Sequence, residues 1–139
     1  MLIPAIMEDI QTYGDIAYAL ARDPAHSCYP TYTDGIKTRA DFLNAAKKAL
    51  TRETSELLLF LLDGAVAGWI SYDWIPKDRY LQIDGCNIQC GAAQALSELL
   101  ARLSDRFAGY TAYFGYPADA LAELGFRSIG QYVLYTKTL

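Results

Sequence analysis

The sequence predicts an α/β (α+β) fold, a mixed and mostly antiparallel sheet with helices on both faces. Three observations carry that reading. Helix-period and strand-period apolar patterns alternate along the chain of 139 residues. Asp63-Gly64 separates two strand-like runs, "ELLLFLL" and "AVAGWISYDW", and signals a hairpin because both turn positions must tolerate positive φ. A long amphipathic run, "AAQALSELLARLSDRF", lies between the strand-like "YLQIDGCNIQ" and "GYTAYFG". A strand–helix–strand unit of that kind requires a parallel, right-handed crossover.

In chain order, "LIPAI" is a short first strand. "MEDIQTYGDIAYALARD" follows as a helix with Ile6, Ile10, Tyr13, Ala17 and Leu20 on one stripe and Gly14 as a mild defect. "PAHSCYPTYTDGIK", with two prolines and a glycine, reads as a long surface connection. Thr38 caps the next helix, "RADFLNAAKKALTR", whose Phe42, Leu43, Ala46 and Leu50 face inward. Lys47, Lys48 and Arg52 make its exposed face, with no partner implied.

The strand before Asp63-Gly64 is apolar on both faces, so the sheet is covered on both sides. "IPKDR" turns the chain into "YLQIDGCNIQ", where Gly85 has no side chain to pack and marks a bulge or a close backbone approach. Leu96, Leu99, Leu100, Leu103 and Phe107 form the buried stripe of the crossover helix, and Glu98 stands four residues before Arg102 as exposed support. "GYTAYFG" is a strand, and "YPADALAELGF" a short helix with Pro117 near its first turn. Gly125 stops that helix, with Phe126 packing back on Leu121. "QYVLYTKT" closes the chain as a strand, Val133 and Tyr135 on one face and Leu134 on the other.

Composition narrows the function classes. An apolar share of 53% and a charged share of 20% are those of an ordinary globular domain. A net charge of -4 without a basic cluster argues against a nucleic-acid partner and mildly suits a cationic small substrate. "LLLFLL" is too short to span a membrane. Three cysteines, Cys28, Cys86 and Cys90, fit no even disulfide framework, and no leader-like segment opens the sequence, so a reduced cytoplasmic setting is expected. The C-x-x-x-C pair with one distant His26 lacks zinc-site spacing, so no metal is expected.

The element order β-α-α-β-β-β-α-β-α-β, with "LLLFLLDGAVAGWISY", "GAAQALSELL" and "ALAELGF", resembles the GNAT (GCN5-related N-acetyltransferase-like) superfamily over nearly the whole chain. More narrowly, "YPTYTDGIKTRADFLNAAKKAL" and the strands after it look like the amino-terminal part of larger bacterial GNAT-like proteins. The resemblance implies one domain over residues 1–139, with six to seven strands in the sheet. It also implies acetyl-CoA as co-substrate and transfer of the acyl group to a small-molecule or peptide amine.

The family's most informative motif, Q/R-x-x-G-x-G/A, lies at the turn into the central helix. Outward-facing amides at that helix N-terminus hold the pyrophosphate of the acyl-CoA. Gly91-Ala92-Ala93 matches the last three positions, and Leu96 falls on the apolar residue that follows. The coenzyme-binding set implied is Gln89, Cys90, Gly91, Ala92, Ala93 and Gln94. The first motif position is Ile88, with Gln89 one residue out of register. Losing that donor would weaken coenzyme binding by ~1.5–3 kcal/mol, while the main-chain donors and the helix dipole remain. The bland alternative is a helix that simply begins with glycine.

Acyl transfer needs a base for the ammonium and a donor for the developing oxyanion. Asp84, immediately before Gly85, is the best-placed carboxylate, and a backbone N–H freed by a bulge can bind the oxyanion. A solvated or turn-pairing aspartate is the competing reading. The family's usual tyrosine acid, a few residues before the G-F end, is replaced by Leu121. Tyr116 could reach the same region, although in a chain with eleven tyrosines packing is the commoner role. "YPADALAELGF" is also short, and the expected asparagine contact to the coenzyme has no counterpart. His26 and Cys28 read as loop residues, and Cys86 and Cys90 as small apolar packing on one strand face. Trp69, Tyr72 and Trp74 are either core or one wall of an acceptor pocket. Three readings follow: an active N-acyltransferase, a catalytically reduced GNAT-like binding module, or an assembly subunit whose last strand pairs with another copy as a homodimer.

Overall fold

The structure, a computed structural model, describes residues 1–22, 38–114, 124–128 and 135–139. Its strands are β1 (Leu2–Pro4), β2 (Ser55–Leu62), β3 (Ala65–Ile75), β4 (Tyr80–Ile88), β5 (Thr111–Phe114), β6 (Arg127–Ser128) and β7 (Tyr135–Thr138). Its helices among the described residues are α1 (Met7–Ala21), α2 (Arg39–Thr51) and α3 (Ala92–Arg106). The strands form one seven-stranded sheet in the order β1-β2-β3-β4-β5-β7-β6. Only the β4–β5 pair is parallel among the described ladders, as the crossover through α3 demands. Arg127–Ser128 is a strand that the sequence pattern does not signal, because two residues carry no period.

Local chemistry sets the boundaries. Asp63 (φ 52°) and Gly64 (φ 80°) are both left-handed, as the hairpin between β2 and β3 requires. Thr38 and Asp41 form a reciprocal capping box at the start of α2, each side chain accepting the other's backbone N–H. Gly125 has φ 85°, in keeping with a chain stop before β6. Leu121, the expected partner of Phe126, lies outside the described residues; Phe126 is buried, with its ring 6.0 Å from that of Phe114.

Two cores sandwich the sheet. On one face, Leu96, Leu99 and Leu103 of α3 pack on Leu58, Ile70, Tyr72, Leu81 and Ile83. On the other, Ile10 and Ala17 of α1 and Phe42 and Ala46 of α2 pack on Leu57, Leu59 and Trp69. The expected α1 stripe holds at Ile10 and Ala17, but Ile6 precedes the helix and is exposed. Gly14 is more than a defect: a Cβ there would lie 2.5 Å from Leu43 Cδ2, so the glycine lets α1 and α2 approach. Of the two roles open to Trp69, Tyr72 and Trp74, core packing holds: strand alternation sends Trp69 to the α1–α2 face and the other two to the α3 face, so they form no common wall.

The Glu98–Arg102 pair is also corrected. Glu98 accepts the side-chain amide of Gln94 and the backbone N–H of Leu2, tying α3 to β1. Arg102 instead pairs with Glu56 on β2, which also takes the Tyr72 hydroxyl and Arg106 (3.0 Å). Arg106 lies 4.6 Å over the Trp74 ring. Tertiary reach outcompeted helical spacing here.

Candidate functional site

The candidate site begins at a fault in β4. Ser71 of β3 pairs with Gly85, yet the next residue, Tyr72, pairs with Ile83, so Asp84 is an extra residue in β4. That is the bulge expected at this glycine. On the opposite edge of β4, the parallel ladder with β5 is described as far as Ile83↔Phe114, and Phe114 is the last described residue before 124. Asp84 stands at the bulge in β4, though its side chain lies outside what the structure describes. Tyr116 lies outside the described residues, as do His26 and Cys28.

Beyond the bulge, Cys86 and Ile88 return to the α3 core and are buried. Ile88, at the first motif position, is 1% exposed, so this position offers no side-chain donor to the surface. The backbone N–H of Gln89 donates to Ala67 O at 2.8 Å, which anchors the strand end and leaves only the exposed Gln89 side chain for a ligand. Cys90 is exposed and past the strand, so it does not share a face with Cys86.

Gly91 then turns the chain. It is the N-cap of α3 with φ 73° and ψ 28°, and no side chain caps the helix. The first turn bond is Ala95 N–H to Gly91 O at 3.0 Å. The preceding amides, those of Cys90, Gly91, Ala92, Ala93 and Gln94, have no acceptor among the described residues. Cys90, Gly91, Ala93 and Gln94 are exposed, and Ala92 is half-buried. An acidic first turn would compete with an anion, and α3 has none. Uncapped donors at the positive end of a 15-residue helix suit a phosphate or pyrophosphate. The signal in the sequence was the glycine and the two small residues after it.

In sequence, no protein-family model and no curated protein matches the chain. In structure it is similar to RimL, a ribosomal L7/L12 alpha-N-protein acetyltransferase solved in complex with coenzyme A, at TM-score 0.69 and 13% identity, covering 99% of this chain and 93% of that one. It is similar to an aminoglycoside 6'-acetyltransferase type Ii at TM-score 0.64 and 12% identity, covering 99% and 96%. A GCN5-related N-acetyltransferase from Brucella melitensis matches at TM-score 0.62 and 18% identity, covering 99% and 74%. At this coverage and these TM-scores the chain has the fold of the GNAT acetyltransferases.

Proposed function

We propose that the protein is an acyl-CoA-dependent N-acyltransferase, with residues 1–139 acting as one domain. It transfers an acyl group, acetyl being the simplest, to a small-molecule or peptide amine. The observation that carries the proposal is the run of uncapped amides from Cys90 to Gln94 at the start of α3. These amides, with the side chain of Gln89, would hold the pyrophosphate of acetyl-CoA. The thioester would then lie along the edge of β4 near the bulge. A β4 amide freed there would polarise its carbonyl, and Asp84 would take the ammonium proton, directly or through water. Tyr116 is the candidate acid for the departing thiolate. The known acceptors of the structural neighbours, a ribosomal protein and an aminoglycoside, are both amines of very different size. The reading therefore rests on the donor and leaves the acceptor open.

Isothermal titration with coenzyme A and acetyl-CoA tests it. Saturable binding that competes with pyrophosphate is expected, and no heat at high micromolar coenzyme would remove the proposal.

A second reading is a GNAT-fold module that binds coenzyme without turnover. It is favoured by the burial of Ile88 at the first motif position and by Leu121 where the family's tyrosine stands. Thiol release in a broad amine screen separates the two, since robust turnover ends the second.

A further inference from the structure

We propose that the pocket between α2 and the β2–β3 part of the sheet binds a small zwitterion with an apolar side chain, of the kind of a free apolar amino acid. The pocket, ≈ 150 Å³ in volume, is lined by residues of α2 between Phe42 and Ala49, by its C-cap Arg52, and by Leu57, Trp69, Ser71 and Asp73 of the sheet. The space exists because α2 turns Ala45, Ala46 and Ala49 toward the sheet. A void of roughly that volume accommodates a benzene-sized group. Its floor is apolar: Phe42, Leu57 and Trp69 are each buried.

The charges around it are separated by sign. Lys48, in the last turn of α2, and Arg52, its C-cap, line one side, and neither has an ion pair among the described residues. Asp73 lines the other, accepting the Ser55 hydroxyl and no other donor among the described residues. Asp73 is not within salt-bridge distance of either cation, so the pocket leaves an anion site and a cation site with an apolar floor between them. A carboxylate beside Lys48 and Arg52, an ammonium beside Asp73 and a side chain over Trp69 would satisfy all three. The pocket lies on the α1–α2 face and the uncapped amides of α3 belong to the other side of the sheet, so its ligand and coenzyme A would not compete.

Titrating L-phenylalanine and L-leucine into isotope-labelled protein, followed by amide chemical shifts, tests this. A dissociation constant on the order of 1 mM is expected for a ligand of this size. N-acetyl-L-phenylalanine and L-phenylalaninamide, each lacking one charge, should bind at least about tenfold more weakly. The same loss is expected for Lys48→Ala/Arg52→Ala, whose side chains are exposed and can go without unfolding the protein. Ala49→Leu fills the pocket and should abolish binding while the amide spectrum stays that of a folded protein. No saturable shifts up to about 20 mM, capped ligands that bind as well as the free ones, or undiminished binding to Ala49→Leu would each overturn it. Saturating coenzyme A should leave the titration unchanged, and failure of coenzyme binding would not touch this result.

Discussion

The ring of Phe60 lies against the backbone of Gly91: a Cβ at Gly91 would come within 3.1 Å of Phe60 Cε1 and 3.3 Å of Leu62 Cδ2. The same residue holds φ 73°. Conformation and space thus demand glycine at the point where the strand end becomes the helix. Gly91→Ala should cost at least about 1–2 kcal/mol, from the left-handed backbone alone. It should also tilt the first amides of α3. The prediction is a lower unfolding midpoint in urea together with coenzyme affinity reduced by about tenfold or more. Loss of stability with full coenzyme affinity would show that the amides are not the binding group.

Glu56 gathers three donors from two elements, Tyr72, Arg102 and Arg106, and is itself 15% exposed at its side chain. Arg102 Nε is buried without a partner among the described residues, so the guanidinium already depends on Glu56 for compensation. Glu56→Ala would strand a half-buried cation and a buried hydroxyl, and should destabilise by about 2–4 kcal/mol. Chemical denaturation measures it. Arg39→Ala, which breaks an exposed pair with Asp15, should leave the midpoint unchanged within error.

Tyr72 supplies the pH counterpart. Burial, and then the Glu56 carboxylate beside it, push its hydroxyl up to about 12. A phenol whose proton is held more tightly in the fold contributes stability that is complete below its unfolded value, near 10. That contribution is lost as pH rises toward 12. Stability should therefore decline across this alkaline window, and Tyr72→Phe should flatten the decline. An identical alkaline slope in the two proteins would refute the assignment.

Much of this architecture was legible because it is written in local chemistry. Asp63-Gly64, Thr38 and Gly85 each specify a backbone conformation within a few residues, and each stands where expected, whereas the reciprocal bond from Asp41 to Thr38 appears only in the structure. The α3 stripe was legible for the same reason, since one apolar face has one place to go. What depended on long-range geometry was not. Helical spacing joined Glu98 to Arg102, whereas the sheet presents Glu56, forty-six positions away, to that arginine. The role of Gly14 required knowing that α2 crosses α1 at Leu43. At the candidate site, glycine and small residues marked the amides, but whether those amides were capped could only be read in three dimensions.

Asn87 is wholly buried in β4, opposite Trp69, and neither its amide nitrogen nor its carbonyl oxygen has a partner among the described residues. A buried amide without hydrogen bonds costs stability, whereas an apolar side chain of similar volume restores the packing at no such cost. Asn87→Leu should raise stability by about 1 kcal/mol, seen as a higher thermal midpoint. A lower midpoint would mean that the amide is satisfied by ordered water.

Asp84 separates catalysis from binding. It is the extra residue of the β4 bulge, whereas the amides proposed to hold the coenzyme begin at Cys90. A base at the bulge acts on the acceptor ammonium and has no part in holding a pyrophosphate. Asp84→Asn preserves size and hydrogen-bonding capacity while removing the base. Once an acceptor is identified, kcat should fall by about 10²–10⁴ with the coenzyme dissociation constant unchanged. Titration and turnover on the same preparation measure both. If kcat is unaffected, the proton leaves by another route and Asp84 serves only the backbone; if coenzyme affinity falls as well, the bulge and the start of α3 move as one unit.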